Sequence, residues 1–200
     1  IMPKDQLIDS LTDIKKAAES MPGVAFTSPF IKFNVLLSRK DVNETGVAQG
    51  IDPEALERQL ELSKYIKSGS YFSKNAGKEL VIGKKLAEKL GLEVNDELVL
   101  VTTDINYSSY ALPFKVVGIF ESGFSLLDKH ILYIPIQKAR EMLDCGDTAH
   151  ELMVFLDNPE SAEAVAGQLK RVASAASPGN QLRFMTWHEN PFISSMLPMM

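Results

Sequence analysis

The sequence predicts an α+β fold in which one compact unit is interrupted by a second, strand-rich unit. Two observations lead to this prediction. A helix and two strands are predicted before Asp52, and a strand, a helix and a strand are predicted after Ala149; together they suit a ferredoxin-like unit. The residues between them read mainly as short strands. We therefore expect residues 1–51 and 149–200 to form the interrupted unit and residues 52–148 to form the insertion.

The first half of the interrupted unit is predicted to be a helix followed by a two-stranded hairpin. Apolar residues in the range 3–21 recur every three or four positions, the period of one helix face, and Pro22-Gly23 stops the helix. Residues 24–37 are rich in β-branched and aromatic side chains and predict a long strand. Residues 39–45 predict a polar connection, and residues 46–51 a short returning strand.

The insertion begins with a strong helix start. Asp52 can accept hydrogen bonds from free amides, Pro53 needs no donor at the first position, and Glu54 complements the helix dipole. This helix is expected to run to about Ile66, and residues 67–77 are expected to form a loop.

The rest of the insertion alternates short elements with turn residues. Gly91 follows a short apolar helix face and predicts its left-handed cap, and Asn95-Asp96 predicts a turn. The predicted elements are a strand at 80–82, a helix at 84–90, strands at 97–103, 114–121 and 130–134, and a helix from Gln137.

The second half of the interrupted unit repeats the same logic. Residues 151–156 predict a strand, and Asn158-Pro159-Glu160 is a second cap, proline and acid. Residues 162–176 carry a continuous apolar stripe and predict a helix, and residues 182–185 predict a strand. Residues 187–200 are apolar and rich in methionine, and we interpret them as the start of a path toward a membrane.

Composition argues against several classes of function. The net charge of −5 without a cluster of basic residues argues against nucleic-acid binding. Cys145 is the only cysteine, so neither an intrachain disulfide nor a cysteine zinc site can form. His130, His150 and His188 lie in unrelated elements without ligand spacing, and we expect no metal.

The sequence also lacks a set of residues that would predict catalysis. The segment from Gly77 to Lys85 has five residues between its glycines, one more than a phosphate-binding loop, and Lys85 stands where serine or threonine would bind magnesium. No GxSxG nucleophile motif is present. We therefore predict a protein that is not an enzyme and has no cofactor.

Three stretches of the insertion resemble the extracytoplasmic domain of ABC-transporter permeases of the MacB and lipoprotein-releasing (LolC/LolE) type. They are GKKLAEKLGLEVNDELVLVT, FKVVGIFESGFSLLD and ILYIPIQKAREML. The resemblance continues through PGVAFTSPFIKF and GVAQGIDPE and covers nearly the whole chain. It implies a membrane-proximal "porter" unit, residues 1–51 and 149–200, interrupted by a "sabre" unit, residues 52–148. It also implies a loop between two membrane helices, on the outer side of the bacterial inner membrane.

The first candidate contact surface is the hairpin tip, residues 104–111. Ile105, Tyr107 and Tyr110 stand where an ordinary turn would be small and polar, and aromatic residues on a protruding loop are typical anchors for a partner. The alternative is that both tyrosines fold back on the sheet. In lipoprotein-release permeases the corresponding hairpin is a hook that recruits a periplasmic carrier; this one is shorter and lacks the hook's proline-containing tip.

The second candidate surface is the loop of residues 121–129. Phe124, Leu126 and Leu127 form an apolar group between Gly123 and Asp128, which match a glycine and an aspartate of the family. The group either packs in the core or, if exposed, suits contact with a second copy or a lipidic substrate.

The resemblance implies a permease domain that couples ATP-driven membrane motion to the handling of a lipoprotein, a peptide or a lipid-like molecule. Its implied partners are a cognate ABC ATPase, a second permease subunit, and an extracytoplasmic carrier or adaptor protein. The alternative from another class is a free-standing soluble binding or adaptor domain. Membrane-spanning segments in the full reading frame would favour the first interpretation.

Overall fold

The computed structural model describes residues 7–8, 11–176, 182–186 and 189, and these fall into two compact units. The larger unit contains Leu7 and Ser28–Glu151. The smaller unit contains the described residues of Ile8–Thr27 and Leu152–Met200.

The elements follow one another with short connections. The strands are β1 (Val24–Arg39), β2 (Val42–Ile51), β3 (Ile66–Gly69), β4 (Glu79–Gly83), β5 (Glu97–Thr103), β6 (Ser109–Phe120), β7 (Ile131–Pro135) and β8 (Glu151–Leu156). The helices are α1 (Leu11–Glu19), α2 (Pro53–Leu60), α3 (Lys84–Leu90), α4 (Ser125–His130), α5 (Ile136–Leu143) and α6 (Ala162–Ala176). Two short 3₁₀ segments, Leu62–Tyr65 and Pro159–Ser161, precede β3 and α6.

Six strands of the larger unit pair in a closed ring. The order is β2, β7, β4, β6, β5 and β1, and β1 pairs again with β2. The β2–β7 and β4–β6 pairs are parallel and the others antiparallel. Because the ring closes, none of these six strands is left as a bare edge along its whole length. β3 pairs with β6 outside the ring.

Strands β5 and β6 bury mainly one face, whereas every residue of β7 and all but the first of β4 are buried. Residues on β5 and β6 alternate between buried and more exposed, as expected for a sheet with one covered face. Side chains that are almost fully buried include Leu37, Leu80, Ile82, Leu98, Leu100, Phe114, Phe120, Leu132 and Ile134. Fully burying each such side chain stabilises the fold by about 1.5–3 kcal/mol.

Helix α5 lies directly against β2, and a glycine permits the approach. A Cβ atom built on Gly50 would lie 2.4 Å from the Cβ of Ala139. No residue with a side chain fits there unless the helix or the strand moves.

The smaller unit has its own hydrophobic cluster. Helices α1 and α6 pack together through Ile14, Ala18, Leu169 and Ala173. Half-buried side chains surround this cluster: Ile8, Met21, Leu152, Val154, Leu182 and Phe184. The rings of Phe26 and Phe155 stack beside each other, with centroids 4.5 Å apart.

The predicted caps are confirmed. The Asp52 side chain accepts hydrogen bonds from Glu54 N and Ala55 N, and Asn158 accepts from Glu160 N. Gly91 ends α3 with φ of 60°, in the left-handed region. Helix α2 is shorter than predicted, because Glu61 adopts a left-handed conformation with φ of 44° and ends the helix before Ile66.

The connection between β1 and β2 is also shorter than predicted. The two strands stay paired up to Arg39 and Val42, so a two-residue turn replaces the expected polar connection of residues 39–45. Lys40 adopts a φ of 51°, and such conformations suit tight hairpin turns.

Two predictions near the chain ends were wrong for the described residues. Helix α1 begins at Leu11, and Leu7 and Ile8 are not helical; residues 1–6 and 9–10 lie outside the described part. Residues 182–185 form no strand, although Leu182 and Phe184 pack on the α1–α6 cluster. The predicted path through residues 187–200 lies outside the described residues, apart from Glu189.

The predicted division at Asp52 and Thr148 does not coincide with the two compact units, whose boundaries fall after Leu7, Thr27 and Glu151. It assigns the β1–β2 hairpin to the interrupted unit, whereas β2 pairs with β7 over five positions and joins the strand ring. The division into porter and sabre residues stays a prediction.

Within the described residues, no helix is long and apolar enough to cross a bilayer.

Candidate functional site

The hairpin tip is a compact five-residue connection, Asp104–Ser108, that lies against the end of α5. Ile105 N donates to the carbonyl oxygen of Leu143 at 3.1 Å. The side-chain amide of Asn106 donates to Asp144 Oδ2 at 2.9 Å. The predicted tip of residues 104–111 is therefore too long, because the residues from Ser109 onward belong to β6.

Asp104 organises the tip from inside. Its side chain is buried, and its Oδ1 accepts from Asn106 N at 2.7 Å and from Ser108 N at 2.8 Å. Asp104 N donates to Ser108 O at 2.9 Å, which closes the connection. Tyr107 takes a left-handed backbone conformation with φ of 66°. The carboxylate thus holds the two amides on either side of the tyrosine.

The tip residues differ in exposure. The side chain of Tyr107 is 74% exposed, while Ile105 and Tyr110 are half-buried. The Tyr110 hydroxyl donates to Glu141 Oε1 at 3.1 Å on α5, and this hydrogen bond raises the pKa of Tyr110. Hydrogen bonds from Lys138 and then Tyr110 lower the pKa of Glu141. Tyr107 is therefore the aromatic side chain that the tip presents to solvent.

The second candidate segment contains a helix that was predicted as loop. Helix α4 starts at Ser125, and Asp128 in it is buried. Asp128 Oδ1 accepts from Ser122 N at 2.9 Å and from Ser122 Oγ at 2.7 Å. A Cβ atom on Gly83 would lie 2.5 Å from the carbonyl oxygen of Asp128, so α4 rests directly on the chain that leads into α3.

The apolar group on this segment is split between solvent and protein. Leu126 is 72% exposed, whereas Phe124 and Leu127 are half-buried. Lys85 Nζ donates to Ser125 Oγ at 2.8 Å, and Lys84 forms an ion pair with Glu121 at 3.0 Å beside it. Leu126 is thus an exposed apolar side chain that directly follows Ser125, the residue that Lys85 binds.

The structure does not bring the two candidate surfaces together. The tip precedes β6 and α4 follows it, so they lie near opposite ends of a 12-residue strand. At about 3.3 Å per residue, the separation along that strand is roughly 30–40 Å.

Structural contacts hold the segment from Gly77 to Lys85, Cys145 and His150. Residues 79–83 form β4, so the chain between Gly77 and Lys85 is largely a strand and not a phosphate-cradling loop. Burial raises the pKa of the Cys145 thiol. His130 is exposed, His150 accepts a backbone hydrogen bond, and His188 lies outside the described residues. Among the residues that the structure describes, no group of three or more histidine, cysteine or acidic side chains is placed to hold a metal ion.

Sequence reasoning missed the two buried aspartates that shape these surfaces. Asp104 lies two and four residues before the amides that it binds, a spacing typical of an Asx turn, and that signal was available in the sequence. For Asp128 the sequence offers only its match to an aspartate of the family. Its partner Ser122 lies six residues earlier, beyond the reach of local turn patterns.

The comparison with known families decides the classification. The MacB-like periplasmic core domain family matches residues 2–172. The chain belongs to this family. Its α+β fold of porter and sabre type, predicted from the resemblance, is confirmed by that match and by two solved structures.

Both solved structures share the fold of this MacB-like domain at low sequence identity. The extracellular domain of the noncanonic ABC-type transporter YknZ from Gram-positive bacteria has a TM-score of 0.63 and 15% identity, covering 87% of this chain and 90% of that one. The periplasmic region of MacB from Actinobacillus actinomycetemcomitans has a TM-score of 0.65 and 10% identity, covering 94% of this chain and 81% of that one.

Two longer proteins are related to this MacB-like domain in sequence. The lipoprotein-releasing system transmembrane protein LolC of Neisseria meningitidis serogroup B is 23% identical over 163 residues, which are 78% of this chain and 39% of LolC. An uncharacterized membrane protein of Buchnera aphidicola is 21% identical over 159 residues, 76% of this chain and 38% of that protein. The chain therefore spans less than two fifths of the length of these relatives.

Proposed function

We propose that this chain is the extracytoplasmic domain of an ABC-transporter permease in the bacterial inner membrane. The observation that carries the proposal is the family match over residues 2–172, which includes almost every described element. A cognate ABC ATPase and a second permease subunit are the partners that this role requires. ATP-driven motion of the membrane part then moves the domain as a rigid body against its mate.

The cargo class that we propose is a lipoprotein, a peptide or a lipid-like molecule. The lipoprotein-releasing relative supports the first of these. Leu126 on α4 is exposed and directly follows Ser125, which Lys85 binds, and this supports contact with an amphiphilic cargo or with the mate.

The location can be tested by thiol labelling of the full-length protein in intact cells. Lys74 lies exposed in the connection between β3 and β4, so a Lys74→Cys variant offers a reactive thiol to a membrane-impermeant maleimide. The parent protein is the matched control, because its cysteine in this chain, Cys145, is buried. We expect labelling of the variant before lysis. Labelling only after lysis, or release of the protein in a soluble fraction, would favour the free-standing binding domain instead.

We further propose that the hairpin tip contacts a carrier or adaptor protein. Tyr107→Ala in the full-length protein should reduce transport, since an aromatic anchor at an interface contributes about 2 kcal/mol or more. The melting temperature of the domain should change by less than about 4 °C, because the side chain is mostly in solvent.

A matched control for the tip is available on the same unit. Tyr65 is 42% exposed in the 3₁₀ segment before β3, and Tyr65→Ala should leave transport near the parent level. Transport assayed in cells, with melting followed by circular dichroism, checks both variants. Normal transport by Tyr107→Ala, or equal loss in both variants, would show that the tip has no specific partner.

A further inference from the structure

Within the larger unit, His150 joins strand β1 to the start of β8. The unit boundaries fall after Thr27 on β1 and after Glu151 on β8, and these strands are neighbours in the sheet. On the larger unit's side, His150 N donates to the carbonyl oxygen of Phe30 at 2.9 Å. Lys32 N donates to His150 Nδ1 at 3.1 Å. The imidazole thus continues the pairing of the two strands by one further hydrogen bond.

The protonation state of the ring follows from that contact. A backbone amide can only donate, so Nδ1 of His150 must carry a lone pair and the ring must be neutral. A proton on Nδ1 would face the N–H of Lys32. The hydrogen bond would be lost, and two donors would oppose each other.

The surroundings of the ring favour the neutral form. Burial lowers the pKa of His150, and the Lys32 ammonium lowers it further, while the Glu151 carboxylate raises it. Lys32 Nζ and Glu151 Oε1 are themselves paired at 2.9 Å, so the two charges largely offset each other at the ring. Asp147, three residues before His150, forms an ion pair with Arg140 on α5, so these two charges also offset each other.

We propose that His150 is a pH-sensitive latch between β1 and the start of β8. Protonation at Nδ1 breaks the bond from Lys32 N and loosens the pairing of β1 with the start of β8. A lowered pKa means that the latch is fully formed above the ordinary histidine value of about 6.5 and is lost as pH falls through the lower folded value. The latch rests on the hydrogen bonds and surroundings of His150 and does not depend on the proposed transport role.

The test is amide hydrogen exchange measured by NMR on the 200-residue chain at pH 7 and at a lower pH at which the His150 ring resonances show the ring to be protonated. The protection factor of the Lys32 amide, which corrects for intrinsic exchange, should fall by about tenfold between these values, the change expected for one lost hydrogen bond. In His150→Asn the side-chain oxygen lies where Nδ1 was and does not titrate. In this variant, the protection factor of the Lys32 amide should therefore fall by less than about twofold.

A second histidine gives the matched control. His130→Asn changes an exposed ring at the end of α4 and should leave the tenfold fall unchanged. Direct titration of the parent protein keeps the proposal testable even if His150→Asn is unstable. The His150 ring resonances and the Lys32 amide shift should titrate together below pH 6.5. A Lys32 amide that is unaffected by His150 titration, or the same fall in His150→Asn, would overturn the latch.

Discussion

Gly50→Ala should lower the free energy of unfolding by about 2 kcal/mol or more, one of the largest effects expected of a single methyl group in this chain. The added carbon would lie 2.4 Å from the Cβ of Ala139, far inside van der Waals contact. Strand β2 is held by β1 on one side and β7 on the other, so it cannot shift freely. Overpacking of this kind typically costs about 1–3 kcal/mol.

The partner atom allows a rescue experiment. Ala139→Gly removes the carbon that the new methyl group would meet, at a cost of about 1 kcal/mol for glycine inside a helix. In that background, Gly50→Ala should cost at least about 1 kcal/mol less than it does in the parent protein. Urea denaturation of the four variants of the cycle measures this coupling.

A control glycine tests whether the effect is steric. Gly167 lies on the exposed side of α6 with no heavy atom within 4 Å of a built Cβ. Gly167→Ala should leave stability unchanged or raise it by about 0.5–1 kcal/mol, because alanine is the better helix former. Parent-like stability of Gly50→Ala, or no rescue by Ala139→Gly, would show that α5 does not approach β2 as closely as the structure has it.

The elements that the sequence predicted best are those with local stop and start signals. Asp52 and Asn158 each accept from amides of the next helical turn, and Gly91 takes the conformation that an apolar face followed by glycine indicates. Such signals depend on contacts within a few residues. These start and stop signals can therefore be recognised in the sequence without knowledge of the tertiary structure.

The strand ring could not be predicted in the same way. Its closure depends on the pairing of β1 with β5 and of β2 with β7, strands that lie far apart in sequence. Alternation of apolar and polar residues reports which side of a segment is buried and not which strand is beside it. Residues 182–186 show the consequence, because Leu182 and Phe184 are packed inward without any strand pairing.

For the candidate surfaces, the sequence indicated which side chains they carry, but it did not indicate the backbone conformation that holds them. Polar neighbours around Tyr107 indicated a loop, and its side chain is exposed. The contact of Ile105 N with Leu143 O joins two backbone groups, so no side-chain pattern reports it. Helix α4 is only six residues long and follows Gly123, which favoured the prediction of a loop.

Asp104→Ala should destabilise the chain by about 2–3 kcal/mol and should also impair transport. The substitution leaves Asn106 N and Ser108 N without their charged acceptor, and hydrogen bonds to charged groups contribute about 1.5–3 kcal/mol each. Solvent can satisfy part of that loss at an exposed tip, which sets the expected total near the lower end. The φ of 66° at Tyr107 then lacks its support, so the aromatic ring is no longer held in one position.

Two variants separate the shape of the tip from general loss of stability. Asp104→Asn keeps one acceptor oxygen and should retain about half of the stability that Asp104→Ala loses. Glu88→Ala changes an exposed acid on α3 and should stay within about 0.5 kcal/mol of the parent protein. Both Asp104 variants retain Tyr107 and should remain folded at the assay temperature. If the tip works as a preformed contact surface, Asp104→Asn should transport less than the parent protein, and Asp104→Ala should transport less than Asp104→Asn. Binding to a flexible loop carries a cost in conformational entropy that the preformed tip of the parent protein avoids. Full transport by a destabilised but folded Asp104→Ala variant would therefore mean that the partner does not need the tip in this conformation.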